Sequence, residues 1–294
     1  MAAGGLGSSD YQEMGGQTAL MAVVHNKKHP LFKNLVMDTF FFERGGTKAT
    51  NLVNKTKFTF YNGTSADAGP VWVNTLYGAG VQFDGSNDNV RMADPGDGSL
   101  DVGSGPMTIE AIIMPTNLAN AEQCIVRKDP GGGNRGLYLF RVAQTTGKLE
   151  FQIGLVGTAF SSVTGNSGLP TDRFTHVTAV RDTANSRLRL YINGVPDNDA
   201  ADAIGNSDNS GSPTIGAFFD DGAGNLNGAP FTGTILYVRI WKKALTQKDI
   251  SSLNADPWQL YVKPTWLIQQ GLASTPPPAG DVNRGYRMLL GVGL

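Results

Sequence analysis

Arg187-Leu188-Arg189-Leu190-Tyr191-Ile192-Asn193-Gly194 alternates, residue by residue, between an apolar set (Leu188, Leu190, Ile192) and a polar or aromatic one (Arg187, Arg189, Tyr191). A period of two puts each set on its own side of an extended strand. Asn193-Gly194 then offers two residues that tolerate positive φ, as a tight hairpin turn requires. The same pattern recurs outward from this stretch. Residues 174–181 form an apolar run just before it. Leu149, Phe151, Ile153 and Leu155 alternate with Glu150, Gln152 and Gly154, residues 137–142 follow a Gly-rich loop, and residues 107–113 lie between Gly105-Pro106 and Pro115. Residues 234–241 form a long apolar run with one charge, which predicts a central strand. Short strands separated by Gly, Asn, Asp and Pro clusters predict an all-β sandwich. One helix of one or two turns is predicted after Thr246, because Thr246-x-x-Asp249 forms a capping box ahead of Ile250 and Leu253; Asp256-Pro257 ends it.

The composition agrees. Of 294 residues only 17% are charged, and 38 are glycines. With 24 basic and 25 acidic residues the net charge is −1, so no overall positive field draws the chain to nucleic acid or to an anionic membrane. The apolar run at residues 19–24 is too short for a secretory core or a membrane span, which predicts a chain made in a cytoplasm, with no membrane insertion. The single cysteine, Cys124, excludes an intrachain disulfide and reads as a buried, inert thiol. Three regions are expected: an N-terminal arm over residues 1–29, a β-sandwich over 30–264, and a Pro-containing C-terminal arm over 265–294. The last ends in Met288, Leu289, Leu290 and Leu294, an apolar segment expected to dock on another subunit; packing against its own domain is the alternative.

Catalytic constellations are missing from the sequence. Glycosidases need two closely spaced carboxylates. Here the five glutamates are Glu13, Glu43, Glu110, Glu122 and Glu150, and none has a carboxylate two positions later. Glu110 and Glu150 read as solvent-facing strand residues. His25 and His29 lack metal-spaced partners, and His176 reads as a packed strand residue. Residues 131–136 match Gly-x-Gly-x-x-Gly, but a strand follows where a dinucleotide site needs a helix, so this is a hairpin loop.

Seven segments, in order, resemble the laminin-G-like branch of the concanavalin A-like jelly rolls. They include Val81-Gln82-Phe83-Asp84-Gly85-Ser86-Asn87-Asp88-Asn89-Val90, Met107-Thr108-Ile109-Glu110-Ala111-Ile112-Ile113-Met114-Pro115, Arg173-Phe174-Thr175-His176-Val177-Thr178-Ala179-Val180 and Gly233-Thr234-Ile235-Leu236-Tyr237-Val238-Arg239-Ile240-Trp241. Ile112 stands where the family has Trp, and Leu236 where it has an acidic residue. The resemblance implies a two-sheet antiparallel jelly-roll sandwich with one short helix and extended arms. It also implies calcium near the loops. Asp84 and Asp88 around one turn, and Asp220 and Asp221 in a Gly-rich loop, are the candidate ligands, with turn formation the alternative reading of all four. Glycan binding would use Tyr138, Phe218 and Phe219 as aromatic platforms beside Asn225, with core packing the alternative. A narrower resemblance, carried by His29-Pro30-Leu31, Trp72 and Ala255-Asp256-Pro257-Trp258-Gln259-Leu260-Tyr261, is to segments flanking this jelly roll in proteins of tailed bacteriophages. The expected function is thus a non-enzymatic virion structural protein of capsid-decoration or head-fibre type, located in the virion, contacting other virion subunits and itself through its arms. A carbohydrate-binding adhesin or tail-associated receptor-binding module is the alternative.

Overall fold

The computed structural model describes residues 23–118, 122–130, 137–155, 159–220, 225–226 and 228–262. It is an all-β two-sheet antiparallel sandwich with one short helix. The first sheet has eight strands. In spatial order they are β15 (Val195–Ala201), β14 (Arg187–Ile192), β13 (Thr175–Asp182), β8 (Met107–Pro115), β19 (Thr232–Trp241), β6 (Gly78–Asp84) and β5 (Val71–Thr75), with β1 (Leu35–Phe40) also paired to β19. The second sheet runs β12 (Phe160–Gly168), β11 (Lys148–Gly154), β10 (Leu137–Val142), β9 (Gln123–Lys128), β16 (Pro213–Ile215), β7 (Asp88–Arg91), β3 (Lys57–Asn62) and β2 (Lys48–Thr50), with β4 (Ser65–Ala66) on β3. A separate hairpin joins β17 (Phe219–Asp220) to β18 (Asn225–Leu226).

The inward faces follow the period-two sets. Ile109, Ala111 and Ile113 of β8 and Val177 and Ala179 of β13 meet Phe58, Phe60, Phe140 and Phe151 of the opposite sheet in one cluster. Each such side chain removed from water contributes about 1.5–3 kcal/mol. β19 is central as expected: it pairs β8 along its length, β6 through its first half and β1 through its second. Asn193 and Gly194 both have positive φ, 49° and 76°, and close the β14–β15 hairpin. At Gly233 (φ 139°) a Cβ would lie 2.1 Å from the Met114 carbonyl oxygen, so only glycine lets β19 approach β8 there.

The outer face of the eight-stranded sheet is covered. Helix α1 (Gln247–Ala255) is slightly longer than predicted, and the Thr246–Asp249 capping box starts it. Ile250 and Leu253 pack with Val180, Tyr191 and Trp241, while Trp258 and Tyr261 pack with Phe40, Ile112 and Tyr237. Residues 23–29, which the sequence assigns to the arm, lie on this same face. His25 bridges Tyr261, the Asn26 amide donates to the Leu260 carbonyl (2.7 Å), and the Val262 amide donates to the Val24 carbonyl (2.8 Å).

Under this cover lies an ionic cluster. Ladder register places Asp38 opposite Arg239, and Arg239 opposite Glu110. The guanidinium is 3.3 Å from Asp38 and 3.5 Å from Glu110, and all three side chains are fully buried. His25 and the Tyr261 hydroxyl each lie 2.8 Å from one Asp38 oxygen; His176 (2.8 Å) and the Tyr237 hydroxyl (2.5 Å) bond to Glu110. Glu110 therefore does not face solvent as expected: the helix and residues 256–262 roof its face, and Arg239 supplies the charge it needs. Burial alone would raise both carboxyls. The attraction of Arg239, with the His and Tyr bonds, outweighs it and holds Asp38 and Glu110 below the usual carboxylate range.

Candidate functional site

Among the described residues no helix covers the outer face of the nine-stranded sheet. One ladder row crosses it: Gln152 faces Leu139, Leu139 faces Arg127, Arg127 faces Thr214, Thr214 faces Arg91, and Arg91 faces Thr59. Direct partners in an antiparallel ladder share a face. Their neighbours Val126, Ile215, Val90 and Phe58 point into the core, so this row points outward. Two inter-strand steps separate Arg127 from Arg91, about 10 Å between backbones.

Both arginines are stacked. The Arg91 guanidinium carbon lies 3.7 Å from the Tyr61 ring centroid, and that of Arg127 lies 4.5 Å from the Phe218 centroid, with the ring oriented by a patch of Cys124, Leu137, Leu139 and Ala229. Stacking of this kind holds a guanidinium plane without consuming its hydrogen-bond donors. Arg127 bonds the Asp129 carboxylate through Nη2, whereas its Nε and Nη1, shielded from water, have no hydrogen-bond partner among the described residues. Arg141, on the same face, differs: Nε and Nη2 bond Glu150 (3.0 and 2.9 Å) and Nη1 bonds Glu122.

Of the aromatic residues expected to form platforms, Phe218 lies on this face, half-buried. Tyr138 does not. It is 1% exposed and part of the core, and burial pushes its phenol far above the usual range. The parity of β10 explains the correction, since Leu139, one residue on, takes the outward position. Phe219 and Asp220 pair with Leu226 and Asn225 in the small hairpin, and Asp221 lies outside the described residues. Met288, Leu289, Leu290 and Leu294 lie outside them too.

The first calcium pair serves its own turn. Asp84 accepts the Ser86 amide (2.8 Å) and Asp88 accepts the Asp84 amide (3.0 Å). Burial, with the charge of Asp84 adding to it, pushes the Asp88 carboxyl up to about 6. Among the described residues no three His, Cys, Asp or Glu side chains converge as a metal group. A different cation is held at one end of the sandwich. The Lys128 ammonium, fully buried, sits 3.0 Å from Asp94 and 2.6 Å from Asp101 and also donates to the Asn209 carbonyl. Cys124 is buried as expected, its thiol pushed up to about 12 by desolvation.

Arg91, Arg127 and Tyr61 were not singled out from the sequence. Their signal was present in the alternation Phe58-Thr59-Phe60-Tyr61 and in Val90-Arg91, where a polar or amphipathic residue follows each inward one.

Comparison with solved structures gives the same architecture at low identity. The binding domain of paraclostridial mosquitocidal protein 1 aligns with a TM-score of 0.58 at 13% identity, over 78% of this chain and 53% of that one. This chain thus spans about half of that domain. Domain 4 of AbnA, an extracellular arabinanase of Geobacillus stearothermophilus, in complex with arabinotriose, aligns at 0.55 and 17%, over 75% of this chain and 98% of that one. The botulinum neurotoxin serotype G binding domain aligns at 0.54 and 12%, over 75% and 50%. No curated protein matches the sequence. Among family models, residues 84–251, more than half of the chain, match a laminin G model described as the concanavalin A-like lectin/glucanases superfamily. With this match and the two-sheet fold, the chain belongs to the concanavalin A-like lectin/glucanase superfamily, in its laminin G branch.

Proposed function

We propose that this chain is a non-catalytic carbohydrate-binding module, of adhesin or receptor-binding type, and that the outer face of the nine-stranded sheet is its glycan surface. The observation that carries this reading is the Phe218–Arg127 pair: a half-buried aromatic ring on the outer face, held by a stacked guanidinium. Sugar recognition combines an apolar ring with a few fixed polar groups in this way. Domain 4 of the arabinanase, similar in fold, was solved with arabinotriose bound, and two further neighbours are toxin binding domains. The absence of catalysis is supported by the engagement of the strand glutamates: Glu110 with Arg239, His176 and Tyr237, and Glu150 with Arg141. The test is a glycan panel probed with the full chain, with and without EDTA. Binding to at least one glycan, abolished by Phe218→Ala in a protein that still melts cooperatively, is expected; a blank panel overturns the reading.

A second reading, a bacteriophage virion structural protein anchored to neighbouring subunits by its arms, is favoured by the pairing of residues 24–26 with 260–262. The flanking segments start side by side on the face opposite the glycan surface, where an anchor would not obstruct binding. Antibody labelling of the source virus particle in the electron microscope tests it. Label on shell or tail is expected, and unlabelled particles overturn it.

A further inference from the structure

We infer that β5 (Val71–Thr75) pairs with β5 of a second copy of this chain, joining the two eight-stranded sheets edge to edge. An edge strand offers a row of unpaired N–H and C=O groups, and folded proteins protect such rows with charges, prolines, bulges, short strands or covering chain. Among the described residues, the other edges of the two large sheets are protected. β15 and β12 are stitched together: the Asp197 carboxylate accepts the Asn166 and Ser167 amides (2.9 and 3.1 Å), and the Asn166 and Asn198 side chains donate to the Asp197 and Thr164 carbonyls (2.7 Å each). β1 is capped by residues 51–52, where the Asp38 amide donates to the Asn51 side chain (3.0 Å) and the Leu52 amide to the Asp38 carbonyl (2.8 Å). β2 has three residues and an exposed Lys48, and β4 has two residues.

β5 has none of these devices. Its ladder with β6 runs without a bulge from Val71 opposite Gln82 to Thr75 opposite Gly78. No charged residue occurs between Asp67 and Asp84. Val71 is 57% exposed, and Leu76, just past the strand, 75%. The strand is also held in place. Trp72 packs inward against Phe41 and Phe60 (ring centroids 6.1 and 5.1 Å away) and donates to the Gly46 carbonyl (2.7 Å). Val71, Val73 and Thr75 therefore stand on the opposite, outer face. An uncharged row of this kind has nothing with which to select a charged peptide, but it matches itself. In antiparallel pairing centred on Val73, Val73 meets its own copy and Val71 meets Thr75 on either side. Every pair on that face is then β-branched, the type a sheet favours. Such a contact is isologous and closes at two copies.

The two-fold axis between antiparallel neighbours stands perpendicular to their sheet. Both nine-stranded sheets then lie on one side of the joined sheet with their outer faces aimed the same way. Residues 23–29 and 256–262 of both copies lie on the other side. The dimer would thus be bivalent toward a glycan-coated surface; that consequence rests on the glycan-binding reading, whereas the pairing itself does not.

The experiment is sedimentation equilibrium of the full chain, which is expected to show monomer and dimer in exchange. Val73→Lys opposes two like charges across the axis and should weaken association about tenfold or more, with the melting temperature near that of the parent. Val73→Thr should keep the dimer. Val73→Cys tests the register. Opposed residues have Cα atoms about 4.5–5.5 Å apart, within reach of a disulfide, so mild oxidation should give a covalent dimer. Val195→Cys, exposed on β15, should not. Should Val73→Lys fail to fold, Val71→Lys and the cysteine pair carry the test. A chain that stays monomeric, a dimer indifferent to Val73→Lys, or one that Val73→Cys cannot trap overturns the inference. So does a dimer lost in Leu289→Asp but not in Val73→Lys, which would assign self-association to the C-terminal segment. On a surface coated with a glycan from the panel, Val73→Lys should be retained about 100-fold more weakly than the parent, with unchanged affinity per site in solution. Equal retention overturns the bivalent arrangement. A blank panel removes the glycan reading and leaves the dimer standing.

Discussion

Each sheet carries an arginine on its outer face, and what stands beside each one across the ladder makes them opposites. Arg239 on β19 has Glu110 on one neighbouring strand and Asp38 on the other. Arg127 on β9 has Leu139 and Thr214 in the same two positions. The first guanidinium is closed in by a helix and by the segments at residues 23–29 and 256–262. The second lies against one ring and one carboxylate. Register alone therefore decides whether a sheet-face arginine becomes part of the scaffold or keeps hydrogen-bonding capacity in reserve.

Removing each cation in turn is the most direct way to break that comparison. Arg239→Met leaves two buried carboxylates facing each other, and breaking a buried pair of this kind costs about 3–5 kcal/mol. Urea unfolding should show a loss of that size, or no folded protein at all. Lys128→Met should come next. Its two aspartates keep some contact with water, so we expect about 2 kcal/mol, below the cost of a fully buried pair. Arg127→Met should cost the least of the three, about 1 kcal/mol, because two of its donors have no partner to lose while Asp129 loses one bond. A loss above 2 kcal/mol at Arg127 would make it a scaffold residue and end the contrast.

Proton linkage sharpens the same distinction. Asp38 and Glu110 have native values held below those of the unfolded chain. The stability they contribute is complete above about pH 5 and is lost as pH falls through the lowered native values. Stability measured from pH 7 to 3 should fall, and it should fall less steeply in Asp38→Asn. Asp88 acts with the opposite sign. Its carboxyl is pushed up to about 6, so the folded chain holds a proton there that the unfolded chain releases near 4. Stability from this group is present below pH 4 and is lost as pH rises through 6. Asp88→Asn should therefore stabilise the protein at pH 8 by about 1 kcal/mol, allowing for solvent screening. On helix α1, Thr246→Ala removes the capping box and should cost about 1 kcal/mol or less in urea unfolding.

How much was legible before the structure depends on whether neighbours in space were also neighbours in sequence. Strand faces were legible, since alternation such as Leu149, Phe151, Ile153 is local and maps directly onto the core. The Thr246–Asp249 cap and the Asn193-Gly194 turn were legible for the same reason. Glu110 was misread because its fate is set by Arg239, Asp38 and the residue 256–262 cover, more than 70 positions away. Tyr138 was misread by one residue of parity, the smallest error possible in a strand and enough to exchange core for surface. Phe218 was legible as an aromatic near a loop, but its partner Arg127 was not, because the contact spans two sheet elements.

The pairing of residues 24–26 with 260–262 has a mechanical consequence. Tension applied between the two flanking segments is carried first by a short set of backbone hydrogen bonds at the rim, loaded in a peeling geometry that opens them one after another. Beneath them, a single oxygen of Asp38 receives both His25 and Tyr261, so it acts as a buckle between the two ends. The β1–β19 ladder, with Leu35 opposite Trp241, would take the load only after that rim opens. A domain pulled by its ends would yield at the buckle first, and the sheet that carries Arg127 would keep its shape.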